Sequence, residues 1–167
     1  YWNYQSPTCG QQGGGSLAQF QTGSTFLAGW NAALGTDFTL VELDDRPDTT
    51  WHVAYAGWNR GAADPSSAVG IHHPAADEKS ISLENDPLMT TAKLDSIPTS
   101  GGLYLRVVDW DAGTTEGGSS GSPLFDQNHY VVGQLFGGWA SCDNDLSDYY
   151  GRFSVSWDGG GTPSTRL

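Results

Sequence analysis

Cationic side chains are scarce in this sequence: two lysines and five arginines stand against 19 Asp and Glu, giving a net charge of -12 over 167 residues. Neutralising a phosphate backbone takes clustered Lys and Arg, so the composition argues against a nucleic-acid partner. Long apolar runs are missing too. Nothing approaches the ~20 residues needed to cross a bilayer, and the chain opens at Tyr1 with neither a basic nor a signal-like apolar segment. The expectation is a soluble protein without a membrane partner, any targeting peptide having been removed. Cysteine is limited to Cys9 and Cys142, far apart and without CxxC spacing. That argues against a zinc site and leaves a disulfide open if the protein is secreted. Helical patterning is confined to NAAL (31–34) and LMTTAKL (88–94), both short.

What is abundant is glycine, 23 residues, together with seven tryptophans. This favours short strands joined by turns. Apolar or alternating runs bounded by Gly, Pro, Asp and Asn recur along the chain: YWNY, TFLAGW (25–30), DFTLVEL (37–43), HVAYAGW (52–58), AVGIHH (68–73), KSISL (79–83), LYLRVVDW (103–110), PLF (123–125), YVVGQLF (130–136) and YGRFSVSW (150–157). DQNH (126–129) reads as a hairpin turn that makes PLF and YVVGQLF antiparallel neighbours. No repeat or long linker divides the chain. The fold class is all-β, a barrel or sandwich.

EGGSSGSPLF (116–125) looks like a Gly-Ser linker but ends in proline and an apolar pair at a strand start. A serine nucleophile needs an exposed hydroxyl, backbone N–H groups aimed at a developing oxyanion, and small neighbours. Ser120 fits, with Gly118 and Gly121 permitting a sharp turn and the N–H groups of Gly118 and Ser120 available as the oxyanion hole. On the pattern alone, an ordinary Gly-Ser turn stays open.

The stretch resembles the GDSGGP signature of trypsin-like serine proteases, with Ser119 and Ser122 replacing the Asp and second Gly. YWNYQSPTC, TGSTFLA, TDFTLVEL, GIHHPAADEKSIS, TEGGSSGSPLF, VGQLFGG, SDYYGRF and SWDGGGTPSTRL resemble, in the same order, the bacterial lysyl endopeptidase family, a secreted branch of those proteases. The resemblance implies a trypsin-like double β-barrel with its first barrel incomplete in this chain: residues 1–60 its remainder, 61–167 the second barrel. It assigns Ser120 as nucleophile, Asp37 as the triad aspartate that orients the histidine, and Asp148 as the anion at the base of a pocket for Lys or Arg. Gly137 and Gly138 become the segment that pairs with substrate backbone. Trp110 becomes the tryptophan near the site, and Phe136 stands where the family has a histidine stacked on it. Read without the resemblance, Asp37 is a strand-opening acid and Asp148 a loop acid.

The triad histidine should precede Asp37, and residues 1–36 contain none. His52, His72, His73 and His129 do not fit the role. The pair His72-His73 beside Asp77 and Glu78 invites a metal reading, but adjacent strand residues point to opposite faces, and neither metal nor cofactor is expected. In the family the cysteines resembling Cys9 and Cys142 each pair with an upstream partner; a Cys9–Cys142 bond is the alternative. The expectation is a secreted serine endopeptidase cutting peptide or protein substrates after Lys, with Arg as second choice. It would need a histidine-bearing N-terminal fragment upstream of Tyr1 and be inactive alone. Two rivals are an inactive protease-like binding or regulatory module and a carbohydrate-binding β-sandwich. The latter needs exposed aromatic faces, whereas Trp58, Trp110 and Trp157 end apolar runs where burial is expected.

Overall fold

The computed structural model describes residues 1–95, 97, 98 and 100–167. It is all-β, as expected, with nine strands in two antiparallel sheets among the described residues. Strands β1 (Ser24–Trp30) and β2 (Phe38–Leu43) form a two-stranded ribbon with a bulge between Phe26 and Ala28. The remaining strands are β3 (Ala68–His72), β4 (Ser80–Glu84), β5 (Met89–Thr91), β6 (Tyr104–Val107), β7 (Pro123–Asp126), β8 (Val131–Gly138) and β9 (Asp148–Arg152). They form one sheet in the order β4-β3-β7-β8-β9-β6-β5, with every pair antiparallel.

Alternation explains how these segments pack. In β3, Ala68, Gly70 and His72 point inward while Val69 and Ile71 are half-buried, the period-2 pattern of a strand with one face on the core. That core gathers Ala68, Leu88, Leu105, Val107, Trp110, Leu124, Val132, Leu135 and Tyr150. The β7–β8 hairpin forms where DQNH predicts it. Asp126 Oδ1 accepts the N–H of Asn128 (2.9 Å) and of Tyr130 (3.0 Å), an Asx-type turn that closes the hairpin.

Four local readings are corrected. YWNY is not a strand; its backbone and side chains tie individually to other loops, Trp2 N–H to the Gln19 carbonyl and the Asn3 amide to the Trp51 carbonyl. HVAYAGW contributes only a single bridge, Trp58 to Val131. Its Ala54, Ala56 and Gly57 are exposed and offer too little surface to build a sheet face, and Trp58 itself is 58% exposed. LMTTAKL supplies β5 rather than a helix. YGRFSVSW changes form midway, β9 giving way to helix α1 (Phe153–Asp158). The alternation of Phe153, Val155 and Trp157 mimics a strand, but a tertiary contact wins. Ser156 Oγ donates to the Arg152 carbonyl one turn back and meets Thr36 Oγ1 at 2.7 Å, both serine and threonine being fully buried.

Among the described residues, no helix is long and apolar enough to cross a membrane. Cys9 and Cys142 are both free and exposed, so the Cys9–Cys142 bond is not formed.

Candidate active site

Strand β8 is the spine on which the nucleophile turn and Asp37 are both hung. On one side, Gly121 N–H donates to the Leu135 carbonyl (2.7 Å) and Leu135 N–H to the Ser122 carbonyl (2.9 Å), fixing the turn to the strand. On the other, the Gln134 amide donates to the Thr36 carbonyl at 2.8 Å, next to Asp37. Tyr104 O–H reaches the Gly35 carbonyl at 2.8 Å. With Gly35 and Thr36 clamped, Asp37 sits at φ 60°, and its Oδ1 accepts the Ala32 N–H at 3.2 Å. Asp37 and Ser120 then line a single open cavity of about 450 Å³, together with Phe38, Gly121, Gln134 and Leu135.

Close packing around Gly151 is part of this scaffold. A Cβ there would overlap the Thr36 carbonyl oxygen and the Gln134 amide. Gly151→Ala is therefore expected to destabilise the fold by about 1–3 kcal/mol, the usual cost of overpacking. Urea unfolding would measure it, and an unchanged midpoint would contradict this account.

The turn itself is shaped by Gly118 (φ 99°) and Gly121 (φ 82°), conformations that cost a side-chain-bearing residue energy. Ser119 N–H donates to the Glu116 carbonyl (3.0 Å) and Ser122 N–H to that of Ser119 (3.1 Å). The N–H groups of Gly118 and Ser120 have no acceptor among the described residues. Ser120 is exposed and Ser119 is buried. An exposed hydroxyl beside two free N–H donors can take an acyl group and stabilise an oxyanion.

Asp148, on β9, is 1% exposed and lies outside the Asp37–Ser120 cavity. Its Oδ2 accepts the Thr115 O–H (2.6 Å) and the Trp110 indole N–H (2.8 Å). Burial pushes its carboxyl up from the usual range, opposed by the Thr115, Trp110 and Ala140 donors. Gly138, opposite Asp148 in the β8–β9 pair, has to be glycine, since a Cβ would overlap the Ser147 carbonyl and Asp148 Oδ1. Gly137 lies just past a register shift in β8, which sets Phe136 out of the regular pairing.

Among the described residues Trp110 and Phe136 do not pair with each other. Trp110 is buried and edge-on to Tyr150 (6.4 Å), held by its bond to Asp148. Phe136 packs edge-on against Tyr104 (5.5 Å) and under the Lys93 ammonium (4.7 Å). None of the histidines lines the Asp37–Ser120 cavity. His73 stacks on Tyr4 and donates to the Asp77 carbonyl, and His52 and His129 are exposed. Among the described residues, no group of three or more His, Cys, Asp or Glu is placed to hold a metal.

Sequence reasoning missed Thr115, which ties Asp148 to the start of the nucleophile loop, and the buried partnership of His72 with Ser119. The only available signals were the threonine opening TEGGSSGSP and the IHH run.

An antiparallel all-β chain carrying a glycine-shaped serine turn at a strand end, with a carboxylate-bearing residue lining the same cavity, has the layout of the downstream part of a trypsin-like serine protease. Residues 1–151 match the family described as lysyl endopeptidase, C-terminal domain, and the chain belongs to that family. The lysyl endopeptidase of Pseudomonas aeruginosa is 34% identical over 126 residues, 71% of this chain and 26% of the relative, so the chain spans about a quarter of that protein's length. Two crystal structures of Rv3671c from Mycobacterium tuberculosis are similar in part. The inactive form is 15% identical with TM-score 0.49, covering 77% of this chain and 58% of the other. The active protease is 16% identical with TM-score 0.48, covering 77% and 53%.

Proposed function

We propose that this chain is the nucleophile-bearing part of a secreted serine endopeptidase that cleaves after Lys, with Arg as second choice, through an acyl-enzyme at Ser120. The observation that carries this reading is the shared cavity of Asp37 and Ser120, lined by no histidine of this chain. A third member inserted there completes the Ser-His-Asp relay: Asp37 orients the imidazole, and the imidazole takes the Ser120 proton. That histidine comes from a segment upstream of Tyr1, the expected N-terminal partner. The β1–β2 ribbon supports such a partner, because it leaves Phe26, Val41 and Leu43 at least 40% exposed and Leu34 71% exposed. The ribbon would form part of the first barrel and the seven-stranded sheet the second. Free, exposed Cys9 and Cys142 fit links to that segment. Asp148 supplies the negative charge for the substrate's Lys side chain.

A fluorophosphonate probe applied to the protease including its upstream segment is expected to label Ser120, and peptide cleavage to map C-terminal to Lys. The chain from Tyr1 to Leu167 by itself should label at least ~10³-fold more slowly, since only the oxyanion hole and binding remain. Absence of labelling in the complete protease would instead support an inactive binding module.

A further inference from the structure

The IHH motif is assigned no part in the triad, yet its middle residue, His72, is buried and hydrogen-bonded to Ser119 of the nucleophile turn. We infer that His72 is a positioning residue for the oxyanion hole, holding Ser119 and thereby the peptide that presents the Ser120 N–H. The inference rests on the serine-protease reading above.

The hydrogen-bond chain fixes its own direction. Ser82 Oγ has one proton and donates it to the Thr114 carbonyl at 3.0 Å. Its 3.0 Å contact with His72 Nε2 must then be Nε2–H donating to the serine oxygen. The neutral ring with its proton on Nε2 leaves Nδ1 as an acceptor, and Ser119 O–H donates to it at 2.9 Å. Ser119 Oγ in turn accepts the Glu116 N–H at 3.4 Å. Burial of the ring, with His73 nearby, lowers the pKa of His72 and so favours the neutral form. His72 is 1% exposed, Ser82 fully buried and Ser119 2% exposed, so water does not compete for these groups.

This matters because backbone bonds hold the turn at its ends, through Gly117 and Gly121, while the Ser119 hydroxyl supplies its buried side-chain anchor. Of residues 117–121, Ser119 is the one that is buried, and three of its four neighbours in that stretch are glycine. A glycine-rich turn has many backbone states of similar energy, and an oxyanion hole works only when its donors are already aimed. Ser119 lies between Gly118 and Ser120, so its side chain is the lever on the peptide joining it to the nucleophile. The same segment adds a backbone tie, with Ala75 N–H donating to the Gly117 carbonyl at 2.7 Å. It also blocks the far side of Gly118, where a Cβ would come within 3.0 Å of Ala76 N.

The test uses the protease with its upstream segment and a peptide-amide substrate ending in Lys. Ser119→Ala and His72→Phe are each expected to lower kcat about 10- to 100-fold with KM little changed, somewhat less than outright loss of an oxyanion donor. The double variant should be no slower than the slower single, because both remove one contact. His72→Asn, whose amide oxygen can accept near the Nδ1 position, should recover a substantial part of the loss. Unchanged kcat in folded Ser119→Ala, a rise in KM alone, or multiplying losses in the double variant would overturn the inference. If His72→Phe fails to fold, Ser119→Ala with His72→Asn decides it. Wild-type enzyme that takes no fluorophosphonate at Ser120 overturns the protease reading itself. A labelled, active wild type with unaffected variants overturns only the role of His72.

Discussion

Exchanging Ser120 for alanine in the protease with its upstream segment is expected to lower kcat roughly 10⁶-fold, the scale seen when a serine protease loses its nucleophile. The geometry supports an effect of that size. Ser120 is the exposed hydroxyl of a turn whose Gly118 and Ser120 N–H groups have no acceptor among the described residues, and it lines the same open cavity as Asp37. Asp37→Asn should cost about 10⁴-fold, because an amide favours the wrong imidazole tautomer without disturbing the fold. Together the two changes should cost no more than Ser120→Ala alone, since an orienting group is useless without a nucleophile. Steady-state hydrolysis of a Lys peptide anilide by the three variants measures all of this. Losses that multiply would mean that Asp37 acts independently of Ser120.

The parts of this site written locally are the ones that could be read from the sequence. Gly118, Ser120 and Gly121 specify a turn because glycine at positive φ and a small nucleophile are local demands. The DQNH hairpin is local as well, closed by Asp126 upon residues two and four positions on. The contact of His72 with Ser119 spans 47 residues, and nothing in either residue's neighbours announces it. The same holds for Thr115 and Asp148, 33 apart, and for Thr36 and Ser156, 120 apart. Helix α1 departs from its sequence pattern for this reason: its alternating apolar residues match a strand, while the helical turn brings Ser156 to the distant Thr36 hydroxyl. The bulge at Phe136 was equally invisible. Pairing register depends on two strands, and the family resemblance could name the substituted position without revealing that its ring turns toward Tyr104.

Asp148→Asn is expected to lower kcat/KM for a Lys substrate about 10²- to 10⁴-fold, the range for removing one partner of a buried charge pair, while a neutral side chain at the same substrate position should lose little. The three groups that favour its ionised form, Thr115 O–H, Trp110 N–H and Ala140 N–H, are neutral donors, and burial still outweighs them and raises the carboxyl's pKa. A substrate ammonium is the charge that would compensate this burial, so Lys binding should draw a proton off Asp148 and tighten as pH rises through its raised pKa. Stability runs the other way. Across the interval from the unfolded value of 3.8 up to the raised native value, the folded protein binds more protons than the unfolded chain, so stability falls with rising pH there. The cost is absent below that interval and fully present above it. In a Ser120→Ala background, which prevents autolysis, the melting temperature should fall with pH across this interval relative to the variant that also carries Asp148→Asn. A parallel course of the two curves would mean that Asp148 titrates alike in the folded and unfolded states, and the charge held ready for lysine would then have no basis in its burial.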